Sequence, residues 1–152
     1  MDHKLKNITK KFTKSILHYD VVNLTITLKQ TLNGIPLDKI SMEQNLKHFL
    51  NILNSNVFGN GFKRYGKRLK ILTKSEYSEN NRLHLHLILE KPQRLEYMKF
   101  NYLIFRSITK TDYFYNQFHI EQPTSHKRKV GWFNYIMKGN LDNSIDWNNT
   151  VL

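Results

Sequence analysis

Three short stretches of the chain carry residue types that could act on a substrate. In His84-Leu85-His86, two imidazoles stand two residues apart. On a β-strand that spacing puts both on one face, about 6–7 Å apart, where they can converge on one cation. In Tyr135-Ile136-Met137-Lys138, a tyrosine and a lysine fall on one face if the segment is helical. A tyrosine hydroxyl is a poor nucleophile at its free pKa. It becomes useful when a metal polarises the electrophile and nearby cations stabilise the phenolate. Lys138 could supply such a charge or hold a phosphate. The third stretch is Lys70–Tyr77, whose Glu76 could add a carboxylate to the histidine pair. Each pattern also has a plain structural meaning. A lone His-x-His is often the polar side of a half-exposed strand, Tyr135 could be a rim aromatic, and Lys138 could complement a helix dipole. The chain has no cysteine, so disulfides, thiolate zinc sites and a cysteine nucleophile are excluded.

The elements that must position these residues can be read from periodicity. Residues 20–29 alternate: Val22, Leu24, Ile26 and Leu28 point one way, and Asn23, Thr25 and Thr27 the other, as in a half-buried strand. Asn33-Gly34 and Pro36 break the chain. Ser41 and Gln44 fit a capping box, and Leu46, Phe49, Leu50 and Leu53 predict a helix over about 42–54. The glycines of 55–66 predict a loop. Residues 67–77 and 82–90 read as a β-hairpin with a polar turn at 78–81, and Pro92 ends its second strand. A helix over about 93–107 and a strand over 113–121 follow. His126-Lys127-Arg128-Lys129 reads as a basic loop, 130–138 as a short helix with Gly139 as its left-handed stop, and 140–152 as a loose tail. Leu5, Ile8, Phe12 and Ile16 make 1–18 a basic amphipathic helix or arm.

The order strand, helix, strand, strand, helix, strand, helix predicts an α+β fold of the ferredoxin-like kind. Its central antiparallel sheet would carry helices on one face and leave the other open. Leu83, Leu85, Leu87 and Leu89 must face the covered core, so His84 and His86 face the open side. On the preceding strand Leu69 and Ile71 face the core, so Lys74 and Glu76 face the histidines. A turn centred near Asn80 sets Glu76 opposite His84. Two histidines and one carboxylate leave positions free for substrate and water, as a catalytic Mg²⁺ or Mn²⁺ ion requires. Glu79 falls in the turn and is less suited; His119 and Glu121 are reserve ligands.

Composition narrows the partners. A chain of 152 residues fits one domain, and 39% hydrophobic with 12% aromatic residues exclude a disordered tail. Lysine and arginine number 24 against 12 acidic residues, a net charge of +12, which points to a polyanion and most simply to nucleic acid. No apolar run approaches the ~20 residues of a membrane span, and the N-terminus lacks the apolar stretch of a signal peptide. The expected location is the cytoplasm, with no membrane partner.

With these motifs in hand, the chain resembles the small HUH-family endonucleases of the rolling-circle replication initiator (Rep) type. Asn23-Leu24-Thr25-Ile26-Thr27 resembles the family's first-strand motif, His84-Leu85-His86 its histidine–hydrophobic–histidine motif, and Tyr135-Ile136-Met137-Lys138 its tyrosine-x-x-lysine motif. The three occur in the family's order and span about 23–138. The resemblance implies nicking and joining of single-stranded DNA at a specific origin, in a hairpin or an open strand, by a single tyrosine. Tyr135 would form a 5′-phosphotyrosine and release a 3′-hydroxyl, assisted by Lys138. His84, His86 and Glu76 would hold Mn²⁺ or Mg²⁺. The helicase domain of some relatives would be missing, so unwinding would fall to a host or separate helicase or use pre-existing single strands.

DNA would reach the open face. Lys63, Arg64, Tyr65, Lys67 and Arg68 interleave cations with an aromatic beside a glycine loop, a pattern suited to phosphate contact and base stacking. Lys127, Arg128 and Lys129 precede the nucleophile helix and could grip the backbone. Asn23, Thr25 and Thr27 could contact sugars or bases. Two rivals stand beside this reading. One is a single-tyrosine transposase of the insertion-sequence type, usually an obligate dimer. The other is a non-catalytic ferredoxin-like RNA- or DNA-binding module, which would stack bases on sheet aromatics. The second is weakened because Arg82, His84, His86 and Ile88 offer no aromatic on that face.

Overall fold

A computed structural model describes residues 3–138 and 144–151. The predicted stop at Gly139 lies outside the described residues, as do the side chains of Leu5 and Ile16. The N-terminal segment is a helix, α1 (His3–His18), with Phe12 buried. β1 (Val21–Leu28) follows the alternating pattern. Asn33 and Gly34, with φ of 51° and 76°, then form a tight turn between β2 (Thr31–Leu32) and β3 (Ile35–Pro36). Positive φ at both central residues is what such a two-residue hairpin needs.

α2 (Lys39–Phe58) is longer at both ends than the capping box predicted. Its cap is Asp38, whose carboxylate accepts from the Ser41 N–H at 2.7 Å, so Ser41 lies inside the first turn. The helix runs through the expected loop because Val57 still falls on its buried face, and it stops only at Gly59, φ 53°. The rest of that loop is a short helix, α3 (Asn60–Tyr65), ended by Gly66 in the left-handed conformation.

β4 (Ile71–Tyr77) begins four residues later than expected. Side chains take the N–H groups just before it: Leu69 donates to Asn54 Oδ1 and Lys70 to Glu90 Oε2. β5 (Leu83–Glu90), α4 (Tyr97–Ile108) and β6 (Phe114–Glu121) follow. α5 (His126–Ile136) starts earlier than predicted. Ser125 caps it by accepting from the Arg128 N–H, so the expected basic loop at 126–129 is the helix's first turn.

The main sheet runs β4-β5-β1-β6, with every neighbouring pair antiparallel. β1-α2-β4 and β5-α4-β6 each skip over one strand, an arrangement compatible with a ferredoxin-like fold. One face carries the larger core. Leu24, Leu85, Leu87 and Leu89 pack there against Phe49 and Leu53 of α2 and Phe100 and Ile104 of α4.

The other face departs from expectation, because it is not left open. Phe12 of α1 and Phe133 and Ile136 of α5 close a second cluster over Val21, Leu72 and Ile88. This face is apolar at one end of the strands and polar at the other, and the apolar end recruits its own helices. The C-terminal stretch is not loose either: Ile71 and Val151 exchange backbone hydrogen bonds of 2.7 and 2.8 Å, and Ser75 donates to the Ser144 carbonyl. Residues 144–151 thereby cover the outer edge of β4, and Ile145 joins the second cluster.

Candidate active site

The polar end of the second face gathers the residues singled out above. Pairing of β4 with β5 sets Glu76 opposite His84 and Lys74 opposite His86, as a turn centred on Asn80 requires. Pairing of β1 with β5 sets Thr25 opposite His86 and Thr27 opposite His84. Each imidazole therefore lies between a threonine on one side and a charged residue on the other.

The threonines orient the rings. Thr25 Oγ1 is 3.2 Å from His86 Nδ1, and Thr27 Oγ1 is 2.8 Å from His84 Nδ1. With both Nδ1 atoms engaged by hydroxyls, Nε2 is the nitrogen of each ring left for other partners. His86 Nε2 sits 2.6 Å from Glu76 Oε1. A carboxylate only accepts, so in this arrangement Nε2–H donates to Glu76 and Nδ1 accepts from the Thr25 hydroxyl. Burial, then the neighbouring His86 and Arg82, push the His84 pKa below its ordinary value, against the opposing pull of Glu76. A neutral imidazole is the form that ligates metal.

The donor set fits a divalent cation. Two imidazoles are braced at Nδ1 by hydroxyls, and a carboxylate already reaches the Nε2 of one of them. Among the described residues, no three His, Asp or Glu side chains are already drawn together as a cation would draw them. His84, His86 and Glu76 are the residues that would close on it. The reserve candidates lie on β6, with His119 opposite Thr25 and Glu121 opposite Asn23.

α5 brings the tyrosine to the same place. The Tyr135 ring stands edge-on to His86, with centroids 6.1 Å apart and planes at 89°. The side chain is half exposed, at 51%. Trp132, one turn earlier, completes a trio at 6.4 Å from His86 and 5.6 Å from Tyr135. Trp132 was not anticipated, although its spacing of three from Tyr135 was the available signal.

Lys138 behaves differently from the prediction. α5 ends at Ile136, so Tyr135 and Lys138 share no continuous helix face. The Lys138 side chain is exposed, while its backbone carbonyl accepts a 2.8 Å hydrogen bond from Lys74 Nζ. Lys74 is the cation held inside the site: it is buried, and its ammonium is 3.9 Å from Glu76 Oε2. Strand parity placed Lys74 on this face, but its bond to a residue 64 positions away carries no local signal.

The expected DNA contacts divide into three groups. Thr25 and Thr27 are engaged with the histidines. Asn23 is buried, and neither amide atom has a protein partner. Lys127 and Arg128 are exposed on the first turn of α5, whereas Lys129 Nζ donates to the Tyr19 carbonyl at 2.9 Å. Lys63, Arg64 and Tyr65 lie on α3, and Arg68 hydrogen-bonds Asn51 of α2, so this group belongs to the layer on the opposite side of the sheet. Among the described residues no helix is long and apolar enough to cross a membrane.

No protein-family model matches this chain, and no curated protein or solved structure matches it. The chemistry of the site is therefore read from its own geometry.

Proposed function

We propose that the chain is a metal-dependent single-stranded DNA endonuclease of the HUH type, which nicks and rejoins its substrate through Tyr135 and serves to initiate rolling-circle replication. The observation that carries this reading is the meeting of Tyr135, from the last helix, with His86, His84 and Glu76, from the central hairpin. A nucleophile and a braced set of metal donors have no structural need to converge.

In this reading the Tyr135 oxygen attacks the scissile phosphorus. The phenolic proton is lost, a P–O(Tyr) bond forms, and the P–O3′ bond breaks. The departing 3′-oxygen takes up a proton and leaves as a hydroxyl. Attack by a 3′-hydroxyl on the phosphotyrosine reverses the sequence and joins strands. A cation held by His84, His86 and Glu76 would supply Lewis-acid polarisation of the phosphate. Thr25 and Thr27 hold the orientation of the two rings through Nδ1, and each hydroxyl can serve either tautomer. Lys74 ties the end of α5 to the strand that carries Glu76 and leaves a positive charge beside the carboxylate.

The test is adduct formation on a pool of single-stranded oligonucleotides, hairpins included, with Mn²⁺. We expect a covalent protein–DNA band that maps to Tyr135 and is absent from Tyr135→Phe and His86→Ala. Binding without an adduct under any divalent metal would overturn the reading in favour of a non-catalytic binding module. An adduct confined to hairpin-flanked transposon-type ends, made by a stable dimer, would instead indicate an insertion-sequence transposase.

A further inference from the structure

The basic residues of 63–68 lie away from the histidines. α3 packs on the C-terminal end of α2, and the hairpin turn beside Glu76 is at the other end of β4. A DNA segment lying only on the histidine face cannot reach them. Of these, Arg68 borders a cavity of about 140 Å³ between α2, the start of β4 and the C-terminal segment, lined also by Lys47, Asn54, Ile71, Asn149 and Val151 among others. With water occupying ~30 Å³ per molecule, that volume suits a phosphate group and some of its hydration.

The lining is selective in charge. It contains two cations and several asparagines, and no carboxylate side chain. The Arg68 guanidinium is held in place: one nitrogen donates to Asn51 Oδ1 at 3.2 Å, and the group lies 5.0 Å over the Phe62 ring. Fixing one edge leaves other N–H groups free to donate, the arrangement by which arginine binds phosphate oxygens. The Lys47 ammonium makes no hydrogen bond or ion pair among the described residues. Two of the asparagines are committed elsewhere: Asn54 Oδ1 accepts from Leu69, and Asn149 Nδ2 donates to the Glu43 carbonyl and to Asp146 Oδ2. The two cations, with the Asn148 side-chain amide beside them, are thus the groups of the cavity left to meet a ligand.

We propose that this cavity binds a backbone phosphate of single-stranded DNA, and that the strand reaches it from the histidine face by crossing the edge of β4 over residues 144–151. The proposal rests on the nuclease reading for the identity of the polymer. Ile71 lines the cavity, and Lys74, which faces the histidines, lies three residues along the same strand, about 10 Å away. A short run of nucleotides spans that distance together with the thickness of the sheet. The site thereby holds the flank of the substrate and leaves the reacting phosphate to Tyr135.

The experiment is fluorescence anisotropy of a long single-stranded oligonucleotide against KCl concentration. It compares wild type, Lys47→Gln/Arg68→Gln, and a control pair, Lys99→Gln/Lys110→Gln, which removes equal charge from α4 and its end. Thermal melting establishes that each variant is folded. Removing two phosphate contacts should lower the salt slope by about 1.4 and weaken binding roughly tenfold near physiological salt. The control pair should keep the wild-type slope. Arg68→Lys with Lys47 intact, which keeps both charges, should retain most of it. An unchanged slope in Lys47→Gln/Arg68→Gln, an equal loss in the control pair, or no binding of single strands by wild type would overturn the proposal. The adduct assay is scored separately. A slope change confined to the cavity variant with no adduct in wild type sinks the nuclease reading and leaves this site standing. Adducts in every protein with equal slopes sink this site alone.

Discussion

The two faces of one sheet are built to different standards. On the leucine face, Leu85, Leu87 and Leu89 meet α2 and α4 in a continuous apolar layer whose centre, Phe49, Leu53, Phe100 and Ile104, is fully buried. On the histidine face, an apolar cluster gives way within two residues of Ile88 to His86, Thr25 and Lys74. Two side chains of this second face, Asn23 and Trp132, carry buried polar atoms with no protein partner, against one, Asn101 of α4, on the leucine side. Such groups cost stability wherever they are dry. Leu85 and His86 are adjacent in sequence and serve opposite purposes, because the pleat sends them to opposite faces. A one-residue slip of register would exchange core and site, which makes the Asn80-centred turn as consequential as any ligand.

The contrast can be broken most forcefully on the leucine face. Phe100 is fully buried there, and Phe100→Ala should cost about 3–5 kcal/mol of stability in denaturant titration. Tyr135→Phe should melt like wild type. If Phe100→Ala instead left stability intact and lost only activity, the assignment of that face to structure would be wrong.

A smaller effect is expected at the seam between β4 and the end of α5. Lys74→Met removes the donor to the Lys138 carbonyl and the charge near Glu76. We expect a loss of about 1–3 kcal/mol of stability. Adduct formation should slow more than in Lys138→Met, whose side chain is exposed. Equal rates in the two variants would return the cationic role to Lys138.

Smaller again is the bracing of the rings. Thr27→Val keeps the shape and removes the hydroxyl 2.8 Å from His84 Nδ1. Metal affinity, measured by Mn²⁺ titration calorimetry, should fall about tenfold with little change in melting temperature.

The smallest effect is a pH dependence at the cap of α2. The Ser41 backbone N–H, helped by its hydroxyl, holds the Asp38 carboxyl below its usual 3.8. A lowered carboxyl contributes stability that is present above the usual value and lost as pH falls through the lowered one. Asp38→Asn should therefore flatten the acid limb of a melting-temperature profile below about pH 4 while leaving the neutral value nearly unchanged, since asparagine also caps. An identical acid limb in the variant would remove Asp38 from the account.

Much of the central hairpin was legible in the sequence. The leucine and histidine sets of 83–89 announce two faces, and the length of the polar turn fixes Glu76 against His84. The order of elements was legible for the same reason, since each strand and helix carries its own period. What escaped reading depends on distant partners. Nothing in residues 144–151 announces that they will pair with Ile71 and Ser75, because edge pairing uses backbone groups common to every sequence. The basic run 126–129 looks like a loop by charge, and only the Ser125 cap marks it as a helix start. The threonines of β1 read as candidate DNA contacts until the register assigns them to the histidines. Asn23 points to a related limit: alternation gave its side correctly, but burial under a second helical layer is a tertiary property.

The pairing of β4 with residues 144–151 also sets an order in time. The leucine-face layer draws its fully buried side chains from Val22 to Ile108, so it can close while the remainder of the chain is still being synthesised. The histidine-face cluster needs Phe133, Ile136 and Ile145. Until those residues leave the ribosome, the strand bearing Glu76 has a bare edge and the helix bearing Tyr135 has no seat. A nascent chain would thus present a folded leucine-face scaffold well before His86, Glu76 and Tyr135 could be brought together on the other face.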